Sequence, residues 1–403
     1  MVIAHLNLAY SQHRSHTQCG SRRVHTYSYE RIKQKGNKLW MKELQILKSD
    51  ISQSRVVESE LDIGRPLMTG EILLKVDKFG FSANNVTYAA TGDQLGYWHF
   101  FPASSNVADI WGIIPVWGFA DVVASSAAGV GVGERVFGYY PTNGYLKMQN
   151  VNVLENQLID GAEHRSKLPS GYNTYRRAGK EPGYDRKMDN MRMLLWPLYI
   201  TSFCLWDSLR HNNWHDAKQV IVVSASSKTS IGLGYALSAD TDSPASIGLT
   251  SKENQEWVVG LGLYDKTAKY DALEEINASI PTVIVDMSGN SKLLASIYAY
   301  LGDNLIHCLN VGLTHWSEGG KDTGIPAEKR EFFFAPSHIQ MRIKEWGSKE
   351  FDLKSSQFIY SASKRSSDWM RIEKLDGVEK LADIYADVCA GKLPPEKALV
   401  IEL

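Results

Sequence analysis

The chain has 403 residues, 43% of them apolar and 22% charged, with a formal net charge of −1. That length accommodates two domains with a sizeable core, and the near-neutral balance excludes a global field suited to nucleic acid or an anionic membrane. The four cysteines, Cys19, Cys204, Cys308 and Cys389, form no CxxC pair, which excludes a disulfide framework or a structural zinc knot and predicts a reducing, cytoplasmic setting.

Residues 1–40 carry seven Lys or Arg and one acid, Glu30. Regular patterning begins at Met41, so this stretch is expected to be a nonstructural leader. It has three readings: a mitochondrial-type transit segment, a disordered tail, or translated sequence upstream of the true start. The longest uncharged apolar stretch, Leu194 to Trp206, contains Pro197 and is too short to cross a bilayer, so no membrane partner is expected.

From Met41 to about Lys167 the text reads as short strands and turns. Glu71–Phe79 alternates as a half-buried strand, Val116–Val123 is a second apolar run, and Gly131–Gly138 is a turn feeding a third. Pro169–Lys187 is polar and reads as an inserted loop or linker. From Met188 the pattern changes. A helix is predicted over Thr201–Leu209, then strands Val220–Val223, Ala245–Leu249, Thr282–Val285 and Leu305–Val311 alternate with helices Ile231–Ala239, Lys252–Leu261 and Ser291–Leu301. Such alternation predicts βαβ units around a parallel sheet. A helix over Gly377–Ala390 and a last strand, Ala398–Leu403, follow. The predicted organisation is a leader (1–40), a β-rich domain with the inserted loop (41–187), an α/β domain (188–335), and a tail (336–403) that rejoins the first domain.

The turn after the first α/β strand, Ser224-Ala-Ser-Ser-Lys-Thr-Ser230, stands where a phosphate-binding loop belongs, yet it has no glycine. Ser227-Lys-Thr229 mimics the end of a P-loop, but the two required glycine positions fall on Val222 and Ser227, which removes the backbone wrap a P-loop needs. Two readings stay open. One is a dinucleotide turn in which Ala225, Ser226, Ser227, Lys228, Thr229 and Ser230 face a pyrophosphate at the helix N-terminus. The other is a packed turn with no ligand. Thr250 lies about 20 residues on, at the end of the second strand. Thr250-Ser-Lys252 suits a 2′-phosphate, which favours NADP(H) over NAD(H).

Several stretches agree with one family. Gly70-Glu-Ile-Leu-Leu-Lys-Val76, Gly131-Val-Gly-Glu-Arg-Val136, the serine loop and Val283-Ile-Val-Asp-Met-Ser-Gly289 resemble, in order and spacing, the zinc-free quinone and enoyl reductase branch of the medium-chain dehydrogenase/reductase superfamily. Four longer strings, Ser82–Ala89, Gly96–Pro102, Ser226–Thr229 and Glu331–Pro336, look more specifically like a domain-of-unknown-function family within it, DUF2855. The resemblance implies a GroES-like barrel followed by a Rossmann doubly wound parallel sheet, with the chain end returning to the barrel. It also implies a homodimer paired through the Rossmann sheet edge around Leu305–Val311. The zinc-ligand positions of relatives fall on Gly80-Phe-Ser-Ala83 and Gly118-Phe-Ala120, which cannot ligate, so no metal is expected.

The resemblance places Tyr88 where zinc-free relatives carry a catalytic Tyr, and a phenol is a proton donor at neutral pH. Asn84 and Asn85 beside it are candidate donors to a developing enolate oxygen. Tyr97, Trp98 and His99 are candidate walls of a cleft for an apolar small-molecule substrate. His315, after the last parallel strand, is a further pocket candidate, and Gly312 joins the cofactor set. The expected activity is NADP(H)-dependent reduction of an α,β-unsaturated carbonyl, enoyl thioester or quinone. The alternative is a non-catalytic binding or scaffold protein on a reductase fold.

Overall fold

The computed structural model describes residues 34–35, 38–62, 65–104, 107–311 and 323–403. Gly312 and His315 lie outside these residues, as does nearly all of the leader.

The N-terminal half is built of strands β1 (Gln34–Lys35), β2 (Lys38–Leu47), β3 (Ser54–Asp62), β4 (Ile72–Phe81), β5 (Trp111–Gly112), β6 (Val116–Ser125), β7 (Arg135–Tyr140), β8 (Tyr145–Met148), β9 (Asn152–Val153), β10 (Gln157–Ile159) and β11 (Thr174–Arg177). One helix, α1 (Ala83–Ala90), interrupts them. The long α2 (Asp189–His211) then leads to the parallel strands β12 (Gln219–Val223), β13 (Ala245–Thr250), β14 (Lys266–Lys269), β15 (Thr282–Asp286), β16 (Leu305–Asn310) and β17 (Arg330–Phe332). Helices α3 (Lys228–Ala239), α4 (Gln255–Leu261) and α5 (Ser291–Leu301) connect them. The chain ends in α6 (Ala335–Trp346), α7 (Ser348–Ser366), β18 (Arg371–Asp376), α8 (Gly377–Cys389) and β19 (Lys397–Glu402).

Three sheets result. The parallel sheet runs β14-β13-β12-β15-β16-β17. Counted along the chain this is the order 3-2-1-4-5-6 of a doubly wound dinucleotide fold. Every residue of Gln219–Val223 is buried, because successive side chains enter different cores. Val220 and Val222 join the large core shared with the β-rich half, while Ile221 and Val223 join a second core with Ile297 and Leu301 of α5. Both faces are therefore covered, as an unbroken β-branched run requires.

The largest sheet runs β18-β19-β4-β6-β7-β11-β10-β9, with β8 on β4. The chain end returns as expected: β19 pairs antiparallel with β4, Leu399 opposite Phe81. Three sequence expectations are corrected here. Pro169–Lys187 is no mere insertion, since Thr174–Arg177 is a sheet strand beside β7. The predicted helix Thr201–Leu209 is the second half of α2, which continues through Pro197. The strand Leu305–Asn310 is not the sheet edge, because Arg330–Phe332 pairs outside it; any pairing through that edge falls on β17.

Tyr175 enters the barrel core because the facing position is Gly138, where a Cβ would overlap the Tyr175 ring. Tyr175 is fully buried and its hydroxyl donates to Tyr139 O at 2.7 Å. Gly138→Ala is expected to cost about 1–3 kcal/mol by overpacking, read as a lower urea midpoint with an unchanged slope.

Candidate active site

One cleft of about 1440 Å³ opens along the C-terminal ends of the parallel strands. Ser224 after β12, Ser251 after β13, Met287 and Ser288 after β15, and Val311 after β16 all line it. Its other walls are α1, the turn Ser170–Asn173, the start of α6, and residues 391–397. Ligands of open α/β sheets sit at this end of the strands.

The serine turn is held without glycine by specific contacts. Ser224 takes the left-handed conformation, φ +64°, which costs a non-glycine residue of order 1–3 kcal/mol. Ser227 caps α3, its Oγ accepting from Ser230 N–H at 3.2 Å. Tyr264 donates to Ser230 O at 2.9 Å. Its ring occupies the space over Gly248, where a Cβ would collide with it. Sequence reasoning missed Tyr264; the signal was an isolated glycine inside a strand, which marks close approach. Asn254 Nδ2 donates to Ser226 Oγ at 3.2 Å, tying the turn to the end of β13. Gly232 one turn into α3 leaves room for Tyr199 and Ser202 of α2. Ser202 Oγ donates to Thr229 O at 2.7 Å.

Of the candidate cofactor residues, Ser226, Ser227, Lys228, Thr229 and Ser251 line the cleft. Ala225, Ser230 and Thr250 are buried beneath it. The Thr250 hydroxyl has no partner among the described residues. Lys228 is placed differently from the phosphate contact expected of it. Its ammonium donates to Pro395 O and Lys397 O, both at 2.9 Å, and burial pulls its pKa down to about 8. Lys252 is exposed and off the lining. Glu253 lines the rim instead, its carboxyl held below its ordinary pKa by its own backbone N–H and the Ser251 hydroxyl.

On the barrel side, Tyr88, Asn84 and Tyr97 line the cleft. Tyr88 accepts from Trp117 Nε1 at 3.3 Å, and burial raises its phenol pKa, so it stays protonated. Asn85 is a structural residue. Its Oδ1 accepts from Ser82 N–H at 2.9 Å and its Nδ2 donates to Pro115 O at 3.1 Å, which closes the first turn of α1. Two of the proposed walls are not walls. Trp98 is buried against Gly92 and Gly112, and His99 points to solvent. The short helical turn Tyr97–His99 sends the three side chains in different directions. Tyr172 and Trp196, which sequence reasoning missed, complete this end of the cleft. Asp286 is buried and accepts from Ser288 N–H at 2.9 Å and Gly289 N–H at 3.1 Å, a turn-forming role. Among the described residues, no group of three or more His, Cys, Asp or Glu is placed to hold a metal ion. None of the helices among them is long and apolar enough to cross a membrane.

Comparison with known proteins places the fold. No curated protein matches the sequence. Among solved structures, CurA from Vibrio vulnificus in complex with NADPH is similar at 12% identity, TM-score 0.52, over 90% of this chain and 98% of that one. A mutant enoyl thioester reductase from Candida tropicalis is similar at 11% identity, TM-score 0.54, over 90% of this chain and 100% of that one. At such identities the likeness is one of fold. The family described as "Protein of unknown function (DUF2855)" matches residues 79–394, well over half the chain. With the fold of medium-chain reductases and that match, the chain belongs to the DUF2855 family.

Proposed function

We propose that the chain is a zinc-independent, NADP(H)-dependent reductase of an α,β-unsaturated carbonyl, enoyl thioester or quinone. One observation carries this: the ends of four parallel strands and the buried phenol of Tyr88 face a single cleft. The residues present fit a dinucleotide. Small side chains, Ser226, Ser227 and Thr229, front the N-terminus of α3. Lys252 is exposed and stands in sequence between Ser251 and Glu253, which line the cleft; it is the side chain assigned to a 2′-phosphate.

A bound nicotinamide would supply a hydride. The chain supplies the rest. Tyr88 holds a proton at its hydroxyl for the substrate, and Trp117 Nε1–H donates to that same oxygen beside the Asn84 amide. The aromatic walls exclude water from the barrel end. The test is NADPH consumption by the full chain over a panel of enones, enoyl thioesters and quinones. Turnover of at least one class is expected, and no consumption with any of them contradicts the proposal.

A second reading, a non-catalytic binding protein, is favoured by the engagement of Lys228 with Pro395 and Lys397. It predicts that neither nicotinamide nucleotide binds.

A further inference from the structure

Five aromatic side chains close the barrel end of the cleft: Tyr88, Tyr97, Trp117, Tyr172 and Trp196. They come from five separate stretches of chain, so the box is a product of the tertiary fold. Ring centroids lie 4.5 Å apart for Tyr88 and Tyr97, 5.7 Å for Tyr97 and Tyr172, 6.0 Å for Trp117 and Tyr172, and 4.7 Å for Trp117 and Trp196. The box has flat apolar faces and no carboxylate or ammonium of its own. Arg176, on the strand that follows Tyr172, is engaged by Asp352 at 3.0 Å. It offers no unpaired cation for a phosphate-bearing carrier.

The hydroxyls of the box have more hydrogens than acceptors. Tyr97 and Tyr172 share one hydrogen bond of 3.0 Å. Two hydroxyls bring two hydrogens, and one bond uses one of them. Tyr88 oxygen accepts from Trp117 Nε1–H at 3.3 Å and lies beside the Asn84 amide. Burial raises the pKa of all three phenols, which keeps these hydrogens in place. Behind them the fully buried Tyr139 has a hydroxyl without a partner among the described residues. Buried donors require acceptors.

We infer that this box binds a planar, ring-conjugated carbonyl compound, such as an aryl enone. Its ring packs on the aromatic faces and its carbonyl oxygen accepts from the phenols. Aromatic pairs gain more than their buried area alone provides, which selects a flat ring over an aliphatic chain. The reduction of such a compound rests on the function proposed above; its binding does not.

The test is isothermal titration calorimetry of the full chain without nucleotide. The probes are benzalacetone, an aliphatic enone of equal carbon number, and naphthalene, which has the ring but no acceptor. Benzalacetone is expected to bind about tenfold tighter than naphthalene, the scale of one hydrogen bond to a ligand, and several-fold tighter than the aliphatic enone, the scale of an aromatic pair, about 0.5–1.5 kcal/mol. The double variant Tyr97→Phe, Tyr172→Phe is expected to weaken benzalacetone about tenfold and leave naphthalene unchanged. Near-UV circular dichroism checks its fold. If it does not fold, Trp196→Leu is used, and it is expected to weaken benzalacetone and naphthalene alike while sparing the aliphatic enone. Equal affinity for the three probes, tighter aliphatic binding, or an unaltered benzalacetone affinity in the variant used overturns the assignment. NADPH is titrated into the same protein separately. Benzalacetone binding without NADPH binding sinks the reductase proposal and leaves this site standing.

Discussion

Replacing Tyr88 by Phe is expected to lower kcat by roughly a hundredfold to ten-thousandfold, the usual contribution of a positioned general acid. The substitution removes one oxygen and keeps the ring, so packing against Tyr97 and Tyr139 at 4.5 and 5.8 Å is preserved. Affinity for the nucleotide is expected to stay the same, because Tyr88 lies on the barrel wall and not at the strand ends. Trp117 Nε1 loses its acceptor, which is expected to lower stability by about 1–3 kcal/mol. Steady-state kinetics with the best substrate of the panel, alongside nucleotide titration, separates these effects. A raised KM with kcat intact would show that Tyr88 binds substrate without donating a proton.

The largest loss of stability is expected from Arg135→Leu, about 3–5 kcal/mol, the cost of taking the guanidinium away from a buried carboxylate, Asp189. Arg135 is 8% exposed. It donates to Asp189 at 2.8 Å, Asp77 at 2.7 Å and Asp121 at 3.1 Å, and it lies over the Phe119 ring. Asp189, at the start of α2, is fully buried and also accepts from Tyr184 at 2.8 Å. The cluster therefore anchors α2, which carries Trp196 into the cleft, to β4, β6 and β7. Chemical denaturation of Arg135→Leu is expected to show a large drop in midpoint. Lys374→Ala removes the exposed pair with Glu402 and is expected to leave the midpoint unchanged, as surface pairs do.

Much of this architecture was legible in the sequence, for physical reasons. The run Val220–Val223 could only be a strand covered on both faces, and the small-residue turn and helix after it followed from local chemistry. The closing strand was readable as a short apolar run, and Ala398–Ile401 are all buried. The strand Thr174–Arg177 was not, because Tyr175 is held by Gly138 on a strand far away in sequence, and the local text is polar. Helices α6 and α7 were hidden by their low apolar content; both average slightly hydrophilic and bury few residues. At the site, Asn85 carried a readable signal, three residues after Ser82, that marks a helix start and assigns it to the backbone. The fate of Lys228 carried none. Its partners are two backbone carbonyls from the other end of the chain, and no local pattern announces them. Tyr172 and Trp196 likewise reach the cleft only through the packing of the turn at 170–173 and of α2 on the barrel.

The central claim is that a glycine-free serine turn still cradles a dinucleotide, and nicotinamide fluorescence titration of the full chain with NADPH and NADH tests it most directly, with Lys252→Ala in parallel. The expected result is micromolar NADPH binding, weaker NADH binding, and a selective loss of NADPH affinity in Lys252→Ala of about tenfold, the scale of one charge-assisted hydrogen bond. Absence of binding by both nucleotides would contradict the claim and leave Ser224–Ser230 as a packed turn.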